Sequence, residues 1–148
     1  MKFDTGTELP DNFVLTKEFN DVYNLINDTN VNLFITGKAG SGKSTLLEYF
    51  RQNTNKNFVT LAFQGITAIK AKGQTLHSFF KFGPHFLAKE EIKLLKDKSL
   101  IQSLDTILID EISMVRADLF DAIDLSLKKN RKNNKPFGGV QMIVFGDV

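Results

Sequence analysis

Residues 31–45 read VNLFITGKAGSGKST. The first six are short, apolar and rich in β-branched side chains, the composition of a strand buried on both faces, and the run stops at a glycine. The next nine hold the spacing glycine, four residues, glycine, lysine, serine: Gly37, Gly42, Lys43 and Ser44. Such a loop holds phosphate for a mechanical reason. Glycines let the backbone N–H groups turn inward around the oxygens, the lysine reaches the terminal phosphates, and the hydroxyl binds magnesium. Good helix formers follow in STLLEYFRQN, so a helix starting near Lys43 adds its positive end to the site. The candidate nucleotide-binding residues are therefore Gly37, Ala39, Gly40, Ser41, Gly42, Lys43, Ser44 and Thr45, with ATP and Mg2+ as the expected ligands.

The same alternation runs outward from this stretch. Upstream, residues 1–14 show no period and read as an extended arm; Thr16 can then cap a helix over 17–27 in which Phe19, Val22, Tyr23 and Ile26 form one stripe. Downstream come a strand at 58–63, a turn at Gly65 with a short helix over 66–72, and a further helical turn at 75–80. A loop over 81–88 and a charged surface helix over 89–98, with Ile92 and Leu95 as its apolar face, follow. DTILIDE at 105–111 is a third buried strand, 117–130 a helix with acids early and lysines late, and VQMIVFGDV at 140–148 a fourth strand. Strands apolar on both faces alternating with helices predict an α/β fold, a parallel sheet covered on both sides.

The third strand ends in Asp110 and Glu111, where a parallel sheet presents its carboxyl edge to a ligand. Asp110 is the candidate metal carboxylate beside Ser44, and Glu111 the candidate for orienting or deprotonating an attacking water. Lys43, Asp110 and Glu111 form the candidate catalytic set, and a positioned water favours an ATPase over a kinase.

Composition limits the alternatives. The 148 residues suffice for about one domain, and 42% hydrophobic content supports a core. A net charge of +2 leaves no general attraction for polyanions, so any nucleic-acid contact must be local. Cysteine is absent, which excludes disulfides and thiolate metal sites. The sequence contains no apolar run of membrane-spanning length, and its N-terminus has acids where a signal peptide has an apolar core, so a soluble, cytoplasmic chain with no membrane contact is expected. His77 and His85 lie in different segments, without metal-ligand spacing, and Phe79 and Phe80 read first as core.

Three further stretches, GITAIKAKGQTLHSFF (65–80), ILIDEISMV (107–115) and NKPFGGVQMIVFGDV (134–148), resemble the first motor domain of superfamily 1 DNA helicases that move 5' to 3'. The resemblance is greatest to the petite integration frequency (PIF) family, with RecD-type helicases next, and covers residues 15–148. It implies a RecA-like P-loop NTPase domain, complete except at its C-terminal end, with sheet order 2-3-4-1 in the numbering of these four strands. It also implies single-stranded DNA as partner, near Gln64, Gly65, His77 and Ser78, and a second RecA-like domain supplying arginine fingers. Without that domain slow hydrolysis is expected. The first strand would be a sheet edge open to self-association. The sequence departs from the family pattern in two places. Phe63 and Gln64 stand where proline and threonine are usual, and Phe19, in LTKEF, stands where a glutamine reads adenine.

A basic cluster, Lys128, Lys129, Arg131, Lys132 and Lys135, suggests a DNA groove, but the helix carrying it must return to the edge opposite the nucleotide; a solvated helix end is expected. The rival functions are another P-loop ATPase, such as a helicase loader of the AAA type, and a nucleotide-binding module without turnover.

Overall fold

In the computed structural model the described residues are 16–37, 43–62, 65–70, 73–82, 92, 94–95, 98–110 and 117–147. In chain order they form α1 (Lys17–Asp28), β1 (Leu33–Gly37), α2 (Lys43–Asn53), β2 (Phe58–Ala62), α3 (Gly65–Lys70), β3 (Gln74–Thr75), α4 (Leu76–Phe80), α5 (Ser99–Ser103), β4 (Thr106–Asp110), α6 (Ala117–Arg131), a 3-10 turn (Pro136–Gly139) and β5 (Gln141–Asp147). The strands make one parallel sheet in the order β1-β5-β4-β2-β3. The four strands legible in the sequence thus stand in the expected order, with one two-residue strand added beyond β2. The arm at 1–14 and the loop at 83–88 lie outside the described residues.

Alternation along the strands builds two cores. Ile107 and Ile109 of β4, with Met142 and Val144 of β5, face a cluster made by α4, α5 and α6; Leu108, Ile143 and Phe145 face Tyr23 and Ile26 of α1 and Leu46, Leu47 and Phe50 of α2. Rings link α1 to α2 edge to face, Phe19 to Tyr49 at 5.4 Å and Tyr23 to Tyr49 at 4.9 Å. Phe19 is thus packed against a tyrosine ring. Thr16 caps α1 as expected, its hydroxyl accepting from the Phe19 amide at 3.1 Å.

The amino edge of the sheet is held by polar ties between distant segments. Lys56 Nζ donates to the carbonyls of Ile26 and Thr29 at the end of α1 and to Gln141 Oε1. Gln141 Oε1 also accepts from the Thr106 hydroxyl, and its amide nitrogen donates to the Val31 carbonyl. Burial pulls the Lys56 ammonium below the ordinary lysine value, opposed by Asp105 and Asp28.

Three expectations need correction. Ile92, Leu94, Leu95 and Lys98, the described residues inside 89–98, are not helical; a described helix starts at Ser99. Ile92 and Leu95 do pack on the core, but the segment is tied down by α6 instead of by its own helical bonds: the Leu95 amide donates to Asn130 Oδ1, and Lys129 Nζ donates to the Ile92 carbonyl. The second is the basic cluster. It lies at the amino edge, yet Arg131 is no solvated side chain, because its guanidinium donates to the carbonyls of Gly138, Ile101, Gln102 and Leu104. Lys128 pairs with Asp124 at 2.8 Å. The helix end works as an internal clamp because three short connections converge on it. The third concerns β3, absent from the sequence reading. Its approach depends on Gly73: a Cβ there would lie 2.6 Å from the Thr60 carbonyl carbon of β2 and closer still to its oxygen.

Candidate nucleotide site at the carboxyl edge

β1 ends at Gly37, and α2 begins at Lys43, so residues 38–42 bridge a strand end and a helix start. This is the local context a phosphate loop requires. Ala39, Gly40, Ser41 and Gly42 lie outside the described residues; Lys43 and Ser44 open the first turn of α2, and Thr45 follows, half-buried. No acidic residue sits in that turn, so the positive end of the helix is left uncompensated for an anion.

Asp110 is the last residue of β4 and is 9% exposed. It shares its sheet face with Thr106 and Leu108, and Leu108 packs in the cluster of Leu46, Leu47 and Phe50. The carboxylate is therefore on the face that α2 covers. Only β5 lies between β1 and β4. Gly37 is level with Asp147 and Ile109 with Val144, which puts Asp110 two residues short of Gly37 along the strands. Two strand spacings and that offset give a Cα separation of about 12 Å between Gly37 and Asp110, enough for a metal ion and phosphate oxygens to fit between these two strand ends. Among the described residues no group of three His, Cys, Asp or Glu could form a metal cage. The donor set fits Mg2+, which commonly takes one or two carboxylates and completes its shell with phosphate oxygens and water. Glu111 lies outside the described residues.

The candidate DNA residues are at the same edge, on the other side of Asp110. Ala62 is level with Asp110 and also with Thr75, so β2 and β3 end in one row with the carboxylate. Gly65 starts α3, is exposed, and has no atom within 4 Å of a Cβ added there; packing inside the protein does not explain the glycine. In α4, Ser78 is exposed and His77 half-buried, its ring edge-on to Phe82 at 6.2 Å. The backbone N–H of Ser78 is committed to Thr75 Oγ1 at 3.2 Å, so a ligand reaching this exposed residue would meet its hydroxyl. Phe79 and Phe80 are core, 9% and 1% exposed. Gln64 lies outside the described residues. Two positions entered the sequence reading only as parts of longer resembling stretches, with no role of their own: Asp147, which the ladder sets beside Gly37, and Thr75, the cap of α4. The only signal for Thr75 is a hydroxyl three residues before Ser78, a spacing too common to single out.

The sheet order and the strand–loop–helix unit at 33–53 define a RecA-like P-loop domain. Comparison with known proteins narrows this class. A family model described as PIF1-like helicase matches residues 14–148, and the chain belongs to that family. ATP-dependent DNA helicase RRM3 of Saccharomyces cerevisiae is 35% identical over 144 residues, covering 90% of this chain and 20% of that protein. ATP-dependent DNA helicase PIF1 of Homo sapiens is 37% identical over 120 residues, 78% of this chain and 19% of that protein. The crystal structure of Pif1 helicase from Bacteroides in complex with ADP-AlF3 and ssDNA superposes with a TM-score of 0.82 at 42% identity, over 92% of this chain and 33% of that one. The chain spans about a fifth of the length of these curated relatives. Among the described residues no helix is long and apolar enough to cross a membrane.

Proposed function

We propose that this chain is the nucleotide-binding motor domain of an ATP-dependent 5'-to-3' DNA helicase, coupling ATP hydrolysis to movement along single-stranded DNA. One observation carries the reading: the exit of β1, the start of α2 and the end of β4 meet at one edge of the sheet, with Asp110 on the side that α2 covers. The segment 37–45 would cradle the phosphates, Lys43 would neutralise the terminal ones, and Ser44 and Asp110 would hold Mg2+. The metal, when bound, supplies charge neutralisation between the phosphate groups. Glu111 would orient the attacking water. Gln64, Gly65, His77 and Ser78 would face the DNA strand.

The placement of Gly65 after β2 and Ser78 after β3, three and four strand positions from β1, favours a motor over a bare nucleotide-binding module, because a second ligand could contact the same edge without displacing nucleotide. A second RecA-like domain would supply the arginines that complete the hydrolytic site, so this chain alone would turn over slowly, an arginine finger being worth about 10^3 to 10^5 in rate. Fluorescent ATP titrations with and without EDTA test the reading. Wild type should bind in a Mg2+-dependent manner, Lys43→Ala should lose about tenfold or more in affinity, and Asp110→Asn should lose the Mg2+ dependence. Equal, metal-independent binding by all three would refute the assignment.

A further inference from the structure

The carboxyl edge carries one connection that neither the phosphate loop nor the DNA-facing residues require. Asp110, Ala62 and Thr75 are level with one another on the adjacent strands β4, β2 and β3, which sets the Thr75 Cα about 10 Å from that of Asp110. Thr75 then does two jobs. Its backbone is the end of β3, and its hydroxyl caps α4 by accepting from the Ser78 amide at 3.2 Å. The segment lies hard against β2, where Gly73 leaves no space for even a Cβ beside the Thr60 carbonyl, and the ladder pairing Leu61 with Gln74 and Ala62 with Thr75 holds it there. Gly73 also closes α3, its amide donating to the Ala68 carbonyl at 2.8 Å. Residues 73–78 therefore tie both α3, which starts at Gly65, and α4, which bears Ser78, to the strand beside Asp110.

From this juxtaposition we infer that Thr75 is a positioning residue that transmits occupancy of the nucleotide site to the DNA-facing turns. The inference rests on the function proposed above and names the link between its two ligands. Displacement of the β4 tip, as charge is bound at Asp110, is passed to β2 by five ladder positions and from β2 to β3 by two. The Thr75 hydroxyl, bonded to the Ser78 amide, carries it on to the first turn of α4. A valine at that position keeps the branched shape and the extended backbone but removes the acceptor; serine keeps the acceptor.

The test uses the whole chain, fluorescein-labelled oligo-dT and Mg2+·ADP with aluminium fluoride. In the wild type, nucleotide should change the DNA dissociation constant about fivefold or more, with the reciprocal change in nucleotide affinity. Thr75→Val should bind each ligand alone within about twofold of wild type yet bring the coupling ratio close to one, and Thr75→Ser should restore it. A helix cap of merely structural importance would weaken binding without changing that ratio. Full coupling in Thr75→Val, or no coupling in the wild type with both ligands bound, overturns the inference and leaves the proposed function standing. Failure of the wild type to bind nucleotide at all overturns both. A second measurement is independent of how the variants fold: in the wild type, nucleotide alone should change hydrogen exchange at the Ser78 amide, and unchanged exchange there with nucleotide bound refutes the link.

Discussion

Replacing Lys56 by methionine removes the ammonium that joins the end of α1 to the first residue of β5. Its Nζ donates to the Ile26 carbonyl at 2.6 Å, the Thr29 carbonyl at 2.5 Å and Gln141 Oε1 at 2.8 Å. The three losses are unequal. Gln141 Oε1 keeps the Thr106 hydroxyl at 2.7 Å and is not orphaned, so the cost falls on the two carbonyls. At partly buried positions each unsatisfied acceptor costs about 1 to 1.5 kcal/mol. The cation at the α1 C-terminus contributes about 0.5 kcal/mol more. Relief of the burial that pulls the Lys56 ammonium below its ordinary value returns a part of this. The net expectation is a loss of about 2 to 3 kcal/mol, a fall in midpoint of roughly 4 to 10 °C for a chain of this size. Urea denaturation followed by circular dichroism measures it. Lys56 stands at the amino edge, away from Gly37 and Asp110, so nucleotide affinity of the folded variant should stay within about twofold of wild type. A stability change below about 0.5 kcal/mol, or a selective loss of nucleotide binding, would contradict this reasoning.

Other perturbations probe separate parts of the fold. Gly73→Ala forces a Cβ into the Thr60 backbone and should destabilise by about 3 kcal/mol or more in the same denaturation assay; a neutral result would mean that β3 does not approach β2 as described. Arg131→Met leaves the Ile101 and Leu104 carbonyls without their guanidinium donor and should cost about 2 to 4 kcal/mol, whereas Lys132→Ala on the exposed side of the same cluster should fall within about 0.5 kcal/mol. Tyr23 is held protonated above the ordinary phenolic value, chiefly by burial and then by Tyr49 and Asp28. The unfolded chain therefore loses that proton first. Stability should fall as pH rises past about 10, and Tyr23→Phe should flatten the fall; an unchanged slope in alkaline thermal melts would remove Tyr23 as its source.

The four longer strands were readable because burial on both faces leaves continuous apolar runs, and because VNLFITG, DTILIDE and VQMIVFG each end near glycine or acid; their order came only from the family resemblance, since no run by itself says which strand lies beside which. The position of the phosphate loop followed from the same boundaries. What escaped the sequence was set by contacts between distant residues. β3 has only Gln74 and Thr75, too few for any period, and exists because Gly73 can meet Thr60. The charged run at 89–98 has helical spacing, but Ile92 and Leu95 are held by Lys129 and Asn130 of α6, and this tertiary anchoring overrides local propensity. Arg131 looked like a solvated charge because its partners are backbone carbonyls, which no side-chain pattern reveals. Phe19, by contrast, was visible as part of the α1 stripe, and its packing on Tyr49 gives it an apolar environment.

The central proposal is spatial: one Mg2+·nucleotide would sit between Gly37 and Asp110. Substituting Mn2+ for Mg2+ at substoichiometric amounts and recording amide spectra of the nucleotide-bound chain tests it most directly. The Gly37 and Asp110 amides should broaden first, while Asp105, five residues and about 16 Å down β4, keeps its intensity. Broadening centred on the amino edge, or on only one of Gly37 and Asp110, would contradict the account.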